Sequence, residues 1–523
     1  MAAEQGPDAL SETIWSRRLE DEASASKLAA EVAELIGPGD LVTLSGDLGS
    51  GKTTFARELI RLLTGESDLE VPSPTFILMQ SYEGQQSQIV HADFYRIEKP
   101  GELIELGWEE AIEGALVLVE WPDRAEGFLA ADRLDIRFSL GPDGDGAGDR
   151  RAARTATVTG VGAFAPRLTK AKAVHDILEH TSWRDAKRQF MQGDASSRVF
   201  ERLVKPDGQS AVLMIAPQRP DGPPLRYGKP YSAIARLAEN IRPFIAIDKG
   251  LRAEGFSAPE IYAFDLSTGL VLLEDLGVET IIGADGVNPE RYAWAATALA
   301  HLHGADLPDS LPINANETYR IPNYDLDALS IEVELLLEWY APHRARVQLS
   351  SGAKATFINL WRRTLQDGLN ADATWTLRDY HSPNLIWLPQ REGVAQVGMV
   401  DFQDCVLGHP AYDVVSLLQD ARIDVPDIIE LKLLSHYARL RRDANDAFDM
   451  AEFARAYAIL GAQRATKILG IFTRLDARDR KPQYLSHLPR LQKYLVKDLN
   501  HPVLADLKIW YENNLPQIFD QAT

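Results

Sequence analysis

Gly46-Asp47-Leu48-Gly49-Ser50-Gly51-Lys52-Thr53-Thr54 has the spacing of a loop that wraps phosphate groups. Its glycines let the backbone curl until successive N–H groups face one anion, and the helix that follows adds the partial positive charge of its first turn. Lys52 then reaches the β- and γ-phosphates of ATP, and the Thr53 hydroxyl is offered to Mg²⁺. A second constellation lies far downstream. In L-R-D-Y-H-S-P-N-L-I-W, Asp379 is followed five residues later by Asn384, and in V-G-M-V-D-F-Q-D an apolar run ends in Asp401. Phosphoryl transfer needs an acid to take the proton of the attacking hydroxyl, and ligands to hold Mg²⁺ against a triphosphate. The assignment is Asp379 as catalytic base with Asn384 and Asp401 as metal ligands. His381 and Asp404 beside them carry no assigned role.

The first loop needs a strand before it and a helix after it. Asp40 to Ser45 is apolar and β-branched, and Thr54 to Leu63 has helical period. Residues 11 to 36 read as a preceding helix, ended by Gly37-Pro38-Gly39. Thr75 to Tyr82 and Gln88 to His91 read as strands, Glu102 to Ile112 as a helix, and Ala115 to Val119 as a buried parallel strand. That strand runs into Glu120-Trp121-Pro122, where an α/β sheet carries its active edge. Glu120 is the acid expected opposite the Mg²⁺ held by Thr53, and Asp93 in H-A-D-F-Y-R is a second carboxylate that orients water or metal. Leu134 to Leu140 and Arg154 to Thr159 alternate as strands around G-P-D-G-D-G-A-G-D-R-R, a loop expected to be mobile.

G-D-L-G-S-G-K-T-T, S-P-T-F, H-A-D-F-Y-R, E-L-G-W-E-E and L-V-E-W-P-D-R, in that order, make about residues 10 to 162 resemble the TsaE family. That family is the small ATPase subunit of the bacterial tRNA threonylcarbamoyladenosine machinery. The resemblance implies an ATPase that does no chemistry on tRNA itself, so that tRNA is only an indirect partner. Its expected direct partners are the threonylcarbamoyl transferase subunit and that subunit's inactive paralogue, the TsaD and TsaB type proteins. It also implies that Lys52 and Thr53 bind the triphosphate and Mg²⁺ and that Thr75 belongs to a switch-like loop. Asp93 would serve turnover, Glu120 would help hold the metal, and Trp121 would sit near the nucleotide.

The remaining chain is over twice as long. G-D-A-S-S-R-V-F-E-R-L, from 193 to 203, reads as a nucleotide-covering turn entering a strand. G-L-V-L-L-E-D-L-G, from 269 to 277, reads as a strand and hinge whose Glu274, Asp275 and Leu276 contact adenine. L-R-D-Y-H-S-P-N-L-I-W-L-P, V-D-F-Q-D-C-V-L-G-H-P-A-Y-D-V-V-S-L-L-Q-D-A-R and G-A-Q-R-A-T-K-I-L-G-I-F make about 175 to 520 resemble the aminoglycoside phosphotransferase superfamily. Within it the likeness is to kinases that phosphorylate the anomeric hydroxyl of N-acetylmuramate and N-acetylglucosamine, which implies an amino-sugar substrate. The sequence departs from that pattern at Met214, where a phosphate-pairing lysine is usual, and at Ser197, where an aromatic is expected. Arg198, Lys205 and Lys229 are the alternative cations. Leu329, Val333, Leu336, Leu337 and Tyr340 form an apolar helix stripe, read as core. Glu332, Glu334 and Glu338 beside it read as solvated, or with Trp339 and Tyr340 as a sugar site. Arg464 and Lys467 are placed at the cleft.

The expected architecture is an α/β P-loop NTPase domain (1–162), a linker (163–174) and a bilobal α+β protein-kinase-like domain (175–523). At 523 residues the length implies two or three domains. A net charge of −21 argues against broad nucleic-acid binding by the whole chain. Cys405 is the one cysteine, which suits a reducing compartment, and no apolar run approaches the ~20 residues of a membrane span. With no basic-then-apolar start, a cytoplasmic protein without membrane association is expected. Two alternatives stand at this level: a first domain that holds nucleotide only as an interaction module, and a second that phosphorylates choline, an aminoglycoside or protein.

Overall fold

Leu41 packs into one apolar cluster while Val42 and Leu44 pack into another, so the strand before the phosphate loop is buried on both faces. The computed structural model describes residues 12–125, 127–140, 154–191, 198–219, 222–284, 286–369 and 373–520. The chain forms two units, 1–184 and 185–523.

In the first unit, β1 (Glu12–Leu19), α1 (Glu22–Ala33), β2 (Leu41–Ser45), α2 (Lys52–Thr64), β3 (Met79–Glu83) and β4 (Gln88–Asp93) come first. They are followed by α3 (Glu102–Glu105), α4 (Trp108–Ile112), β5 (Leu116–Glu120), β6 (Arg133–Leu140), β7 (Arg154–Val161) and α5 (Phe164–Glu179). The sheet order is β1-β7-β6-β2-β5-β4-β3, with β6, β2, β5 and β4 parallel.

Four expectations are corrected here. Residues 12–19 are a strand, because Trp15 and Leu19 bury on one face against β7 and Asp21 caps the helix only from Glu22 onward. The segment 75–78 is a turn whose Ile77 and Leu78 amides donate to the Pro74 carbonyl, so the strand is only Met79–Glu83. Gly107, at φ 68°, splits the expected helix 102–112 in two. The expected linker 163–174 lies within α5, whose Phe164 and Leu168 are buried in the first unit's core, so the division falls after residue 184. The Gly- and Asp-rich loop 141–151 lies outside the described residues.

The second unit opens with an antiparallel sheet, β8 (Lys187–Met191), β9 (Val199–Val204), β10 (Ser210–Ile215), β11 (Ile261–Asp265) and β12 (Leu270–Glu274), ordered β11-β12-β10-β9-β8. Between β10 and β11 run α6 (Tyr231–Ile234) and α7 (Arg242–Ala253). The rest is mostly helical: α8 (Pro289–Leu302), α9 (Leu326–Leu335), which continues as a π-helix over Leu336–Arg344, α10 (Ser351–Gly368), α11 (Ala411–Leu418), α12 (Asp427–Ala444) and α13 (Met450–Ala477). The stripe of Leu329, Val333, Leu336, Leu337 and Tyr340 is core, as expected.

Asp248 on α7 is 1% exposed, and neither carboxylate oxygen has a hydrogen-bond partner among the described residues. Burial pushes its carboxyl up to about 8, against the pull of Arg252 and Lys249. The folded state therefore keeps a proton that the unfolded chain loses above about pH 4. Stability from this group is fully present below that pH and is lost as pH rises toward 8. Asp248→Asn is expected to stabilise the protein by about 3 kcal/mol at pH 7, with the gain vanishing toward pH 4, as read by urea unfolding across that range.

Candidate active sites

Parallel pairing sets the first site. Leu44 lies opposite Glu120, and Glu120 opposite Asp93, so the phosphate loop and both carboxylates emerge at one edge of three adjacent strands. Gly46 (φ 132°) and Gly51 (φ 108°) take backbone angles that other residues rarely adopt, and a Cβ on Gly46 would meet the Phe138 carbonyl oxygen at 2.3 Å. Thr53 Oγ1 donates to Glu120 Oε2 at 2.9 Å, and Glu120 Oε1 lies 3.0 Å from His91 Nε2. Asp93 Oδ2 accepts from Ser73 Oγ at 3.0 Å and Thr75 Oγ1 at 2.6 Å, which couples the turn at 73–78 to the sheet edge.

Lys52 is buried, with Nζ donating to the Gly46 and Asp47 carbonyls at 2.8 and 3.0 Å and lying 4.0 Å from the centre of the Trp121 ring. Burial lowers its pKa, opposed by the charges of Glu120, Asp93 and Asp47. Trp121 is held at φ 58°, which turns its indole onto that ammonium. The donor set fits Mg²⁺ and ATP: a hydroxyl and a carboxylate in contact, an ammonium hydrogen-bonded to loop carbonyls, and a buried Ser50 hydroxyl with no partner among the described residues. A cavity of about 730 Å³ beside the loop, lined by Leu19, Glu20, Ser50, Gly51, Thr54 and Arg154 among others, leaves room for the rest of the nucleotide.

In the second unit, two short strand pairs frame the chemistry. Thr374–Thr376 pairs with Val406–Gly408, and Leu385–Trp387 with Val397–Met399, which sets the loop 377–384 against the loop 400–405. The Val400 amide donates to the Asn384 carbonyl at 3.0 Å. Asn384 Nδ2 donates to the Asp379 carbonyl at 3.0 Å and lies 3.5 Å from Asp401 Oδ2. Asp401 sits at φ 61°. Asn384 and Asp401 are thus within reach of one ion, and a hard cation that keeps phosphate and water oxygens needs few protein ligands beyond these. Asp379 keeps 40% of its side-chain surface exposed. Burial of its surroundings would raise its pKa, but His381, Lys467, Arg378 and Arg464 outweigh it and hold the carboxyl below its ordinary value.

Met214 is core, 2% exposed, so no cation projects from that strand position. Of the alternatives, Arg198 reaches the site, with Nη1 2.8 Å from Asp401 Oδ1. Lys205 instead meets Gln209, and Lys229 is exposed. The rest of the nucleotide-covering turn, 193–197 with Ser197, lies outside the described residues. At the hinge, Arg391 and Arg252 hold the Glu274 carboxylate, and Arg202 holds that of Asp275. The Asp275 carboxylate also accepts from the Gly277 amide at 3.0 Å, and the Glu274 amide donates to the Glu260 carbonyl at 2.8 Å.

Several positioning residues escaped the sequence. Asp413, fully buried on α11, accepts from the Leu377 and Arg378 amides at 2.7 and 2.8 Å and faces His303. Asp420 accepts from the Ser382 amide and hydroxyl. Asp404, whose role was open, accepts from the Ala238 amide at 2.6 Å. Glu332, expected on a solvated face, is fully buried and bonds Arg378, Lys467, Tyr324 and Gln463. Burial would raise its carboxyl, but Lys467 and Arg378 hold it below its ordinary value. Tyr340 is core, bonded to Gln492, and Trp339 stacks on His343, so neither supports the expected sugar platform. The available signal for Asp413 and Asp420 was an acid inside or ending an apolar helical run, since such acids stay buried only when fully hydrogen-bonded.

Residues 19–146 match the family described as Threonylcarbamoyl adenosine biosynthesis protein TsaE, and residues 187–452 match the Phosphotransferase enzyme family. A Caulobacter vibrioides protein named N-acetylmuramate/N-acetylglucosamine kinase is 38% identical over 353 residues, covering 65% of this chain and 95% of the relative. A Pseudomonas putida protein of the same name is 31% identical over 342 residues, covering 64% and 91%. A Rickettsia conorii tRNA threonylcarbamoyladenosine biosynthesis protein TsaE is 42% identical over 120 residues, covering 23% of this chain and 68% of the relative. The chain therefore belongs to two families at once, the TsaE family through its first unit and the phosphotransferase enzyme family through its second.

Proposed function

We propose that the second unit transfers phosphate from ATP to the anomeric hydroxyl of N-acetylmuramate or N-acetylglucosamine, a reaction of cell-wall recycling. The observation that carries this reading is the part-exposed Asp379, its carboxyl held below the ordinary value, on the same loop as Asn384 and beside the loop of Asp401, in a unit whose relatives are named as kinases of those sugars. Asp379 accepts the hydroxyl proton, and Asn384 and Asp401 hold Mg²⁺. Bound Mg-ATP supplies the transferable phosphoryl group. Glu332, Asp413 and Asp420 keep the loop from shifting under the charge that develops.

The first unit is proposed to hydrolyse ATP in support of N6-threonylcarbamoyladenosine formation at position 37 of tRNA. Lys52 and Thr53 hold the triphosphate and its ion, Glu120 completes the metal site, and Asp93 links the 73–78 turn to turnover. Its partners are TsaD and TsaB type proteins, with tRNA engaged only through them. No helix among the described residues is long and apolar enough to cross a membrane, and a cytoplasmic setting suits both substrates.

The full chain should convert N-acetylmuramate or N-acetylglucosamine to a product whose anomeric phosphate is seen by phosphorus NMR. Phosphate on choline, an aminoglycoside or a protein hydroxyl, with none on either sugar, would overturn the kinase reading. Restored tRNA modification in a mixture of TsaD and TsaB type proteins tests the first unit.

A further inference from the structure

Helix α13 turns two polar faces inward. Gln463 and Lys467, four residues apart, share one face and bind Glu332, at 3.1 Å to Oε2 and 2.8 Å to Oε1. Arg464 is rotated about 100° from Gln463 around the helix axis and so leaves that network. It is only 4% exposed, yet among the described residues it makes no hydrogen bond or ion pair. The groups that feel its charge are Asp379, His381 and Asp420.

None of these hydrogen-bonds it. Both Asp420 oxygens are taken, Oδ1 by the Arg422 amide at 2.8 Å and Oδ2 by Ser382. His381 is itself a potential cation, with Arg422 3.4 Å from its Nε2. Asp379 must keep a lone pair for the substrate hydroxyl. With no hydrogen bond of its own, the guanidinium keeps its N–H donors for an arriving anion.

We propose that Arg464 binds an anionic group of the substrate itself, namely the lactyl carboxylate that N-acetylmuramate carries and N-acetylglucosamine lacks. The inference rests on the amino-sugar kinase reading. The carboxylate hangs from the sugar ring that also bears the anomeric hydroxyl, so one substrate can present its hydroxyl to Asp379 and its acid to Arg464. The fork of the guanidinium matches a carboxylate in two parallel hydrogen bonds.

The test uses the full chain and three sugars: N-acetylmuramate, its lactyl carboxamide and N-acetylglucosamine. The wild type should favour the acid over the isosteric amide by roughly ten- to hundredfold in kcat/KM. In Arg464→Gln that ratio should fall to about threefold or less, through KM, with Arg464→Lys in between. Equal use of acid and amide by the wild type overturns the proposal whether or not the variants fold. So does an unchanged ratio in Arg464→Gln, and so does an equal loss on all three sugars with weaker ATP binding, which would assign Arg464 to the triphosphate. Absence of any sugar phosphorylation by the wild type overturns the underlying reading together with this one.

Discussion

Asp379→Asn is expected to lower the kcat of sugar phosphorylation by about a thousandfold while the KM for ATP stays within about threefold. The amide has the size of the carboxylate but cannot accept the hydroxyl proton. The variant should also fold. The bond that Asn384 makes to position 379 goes to the backbone carbonyl, and the Asp379 side chain has no hydrogen bond among the described residues, only a 3.9 Å approach to His381. The proposed metal ligands Asn384 and Asp401 are untouched, so the loss belongs to the chemical step. A kcat within tenfold of wild type would remove Asp379 from the role of base.

Lys52→Ala is expected to reduce ATP hydrolysis by the first unit by two to three orders of magnitude, at about the scale of losing one preorganised charge from a phosphoryl-transfer site. The loop should survive, since its curvature is fixed by the glycines at 46, 49 and 51 rather than by the lysine. The assay needs Asp379→Asn in the background so that the kinase does not turn over ATP. Sugar phosphorylation by Lys52→Ala alone then reports that the chain is intact. Threonylcarbamoyladenosine formation that persists with Lys52→Ala would favour a first unit that only holds nucleotide and docks.

The chemistry was more legible than its support. Fixed spacing around Gly46–Thr53 and Asp379–Asp401 reports local geometry, which neighbours in sequence dictate, and the strand-loop-helix about Lys52 followed directly. Pairing across the sheet is a different matter. That His91 would bond Glu120, or that Ser73 and Thr75 would bond Asp93, depends on which strands become neighbours, and no local pattern encodes that. Glu332 shows the same limit from the other side. An acid next to an apolar stripe is usually solvated, and only the arrival of Arg378 from the catalytic loop and Lys467 from α13 makes its burial tolerable. The misread strand at 12–19 has a simpler cause: helical spacing from Leu28 to Ile36 was extended upstream past the Asp21 cap.

Helix α5 decides where the polypeptide can be severed. It lies along β1 and β7, with the His175 ring tilted against Trp15 at 5.1 Å between ring centres, and Arg167 ties it to Asp40 at 2.8 Å. A fragment ending at 162 would lose Phe164 and Leu168 from the core and bare Trp15 and Leu19 to water, a sticky surface that favours aggregation. Proteases and expression vectors alike should therefore spare everything up to residue 184, and a truncation made earlier would mimic a catalytic defect by ruining solubility instead.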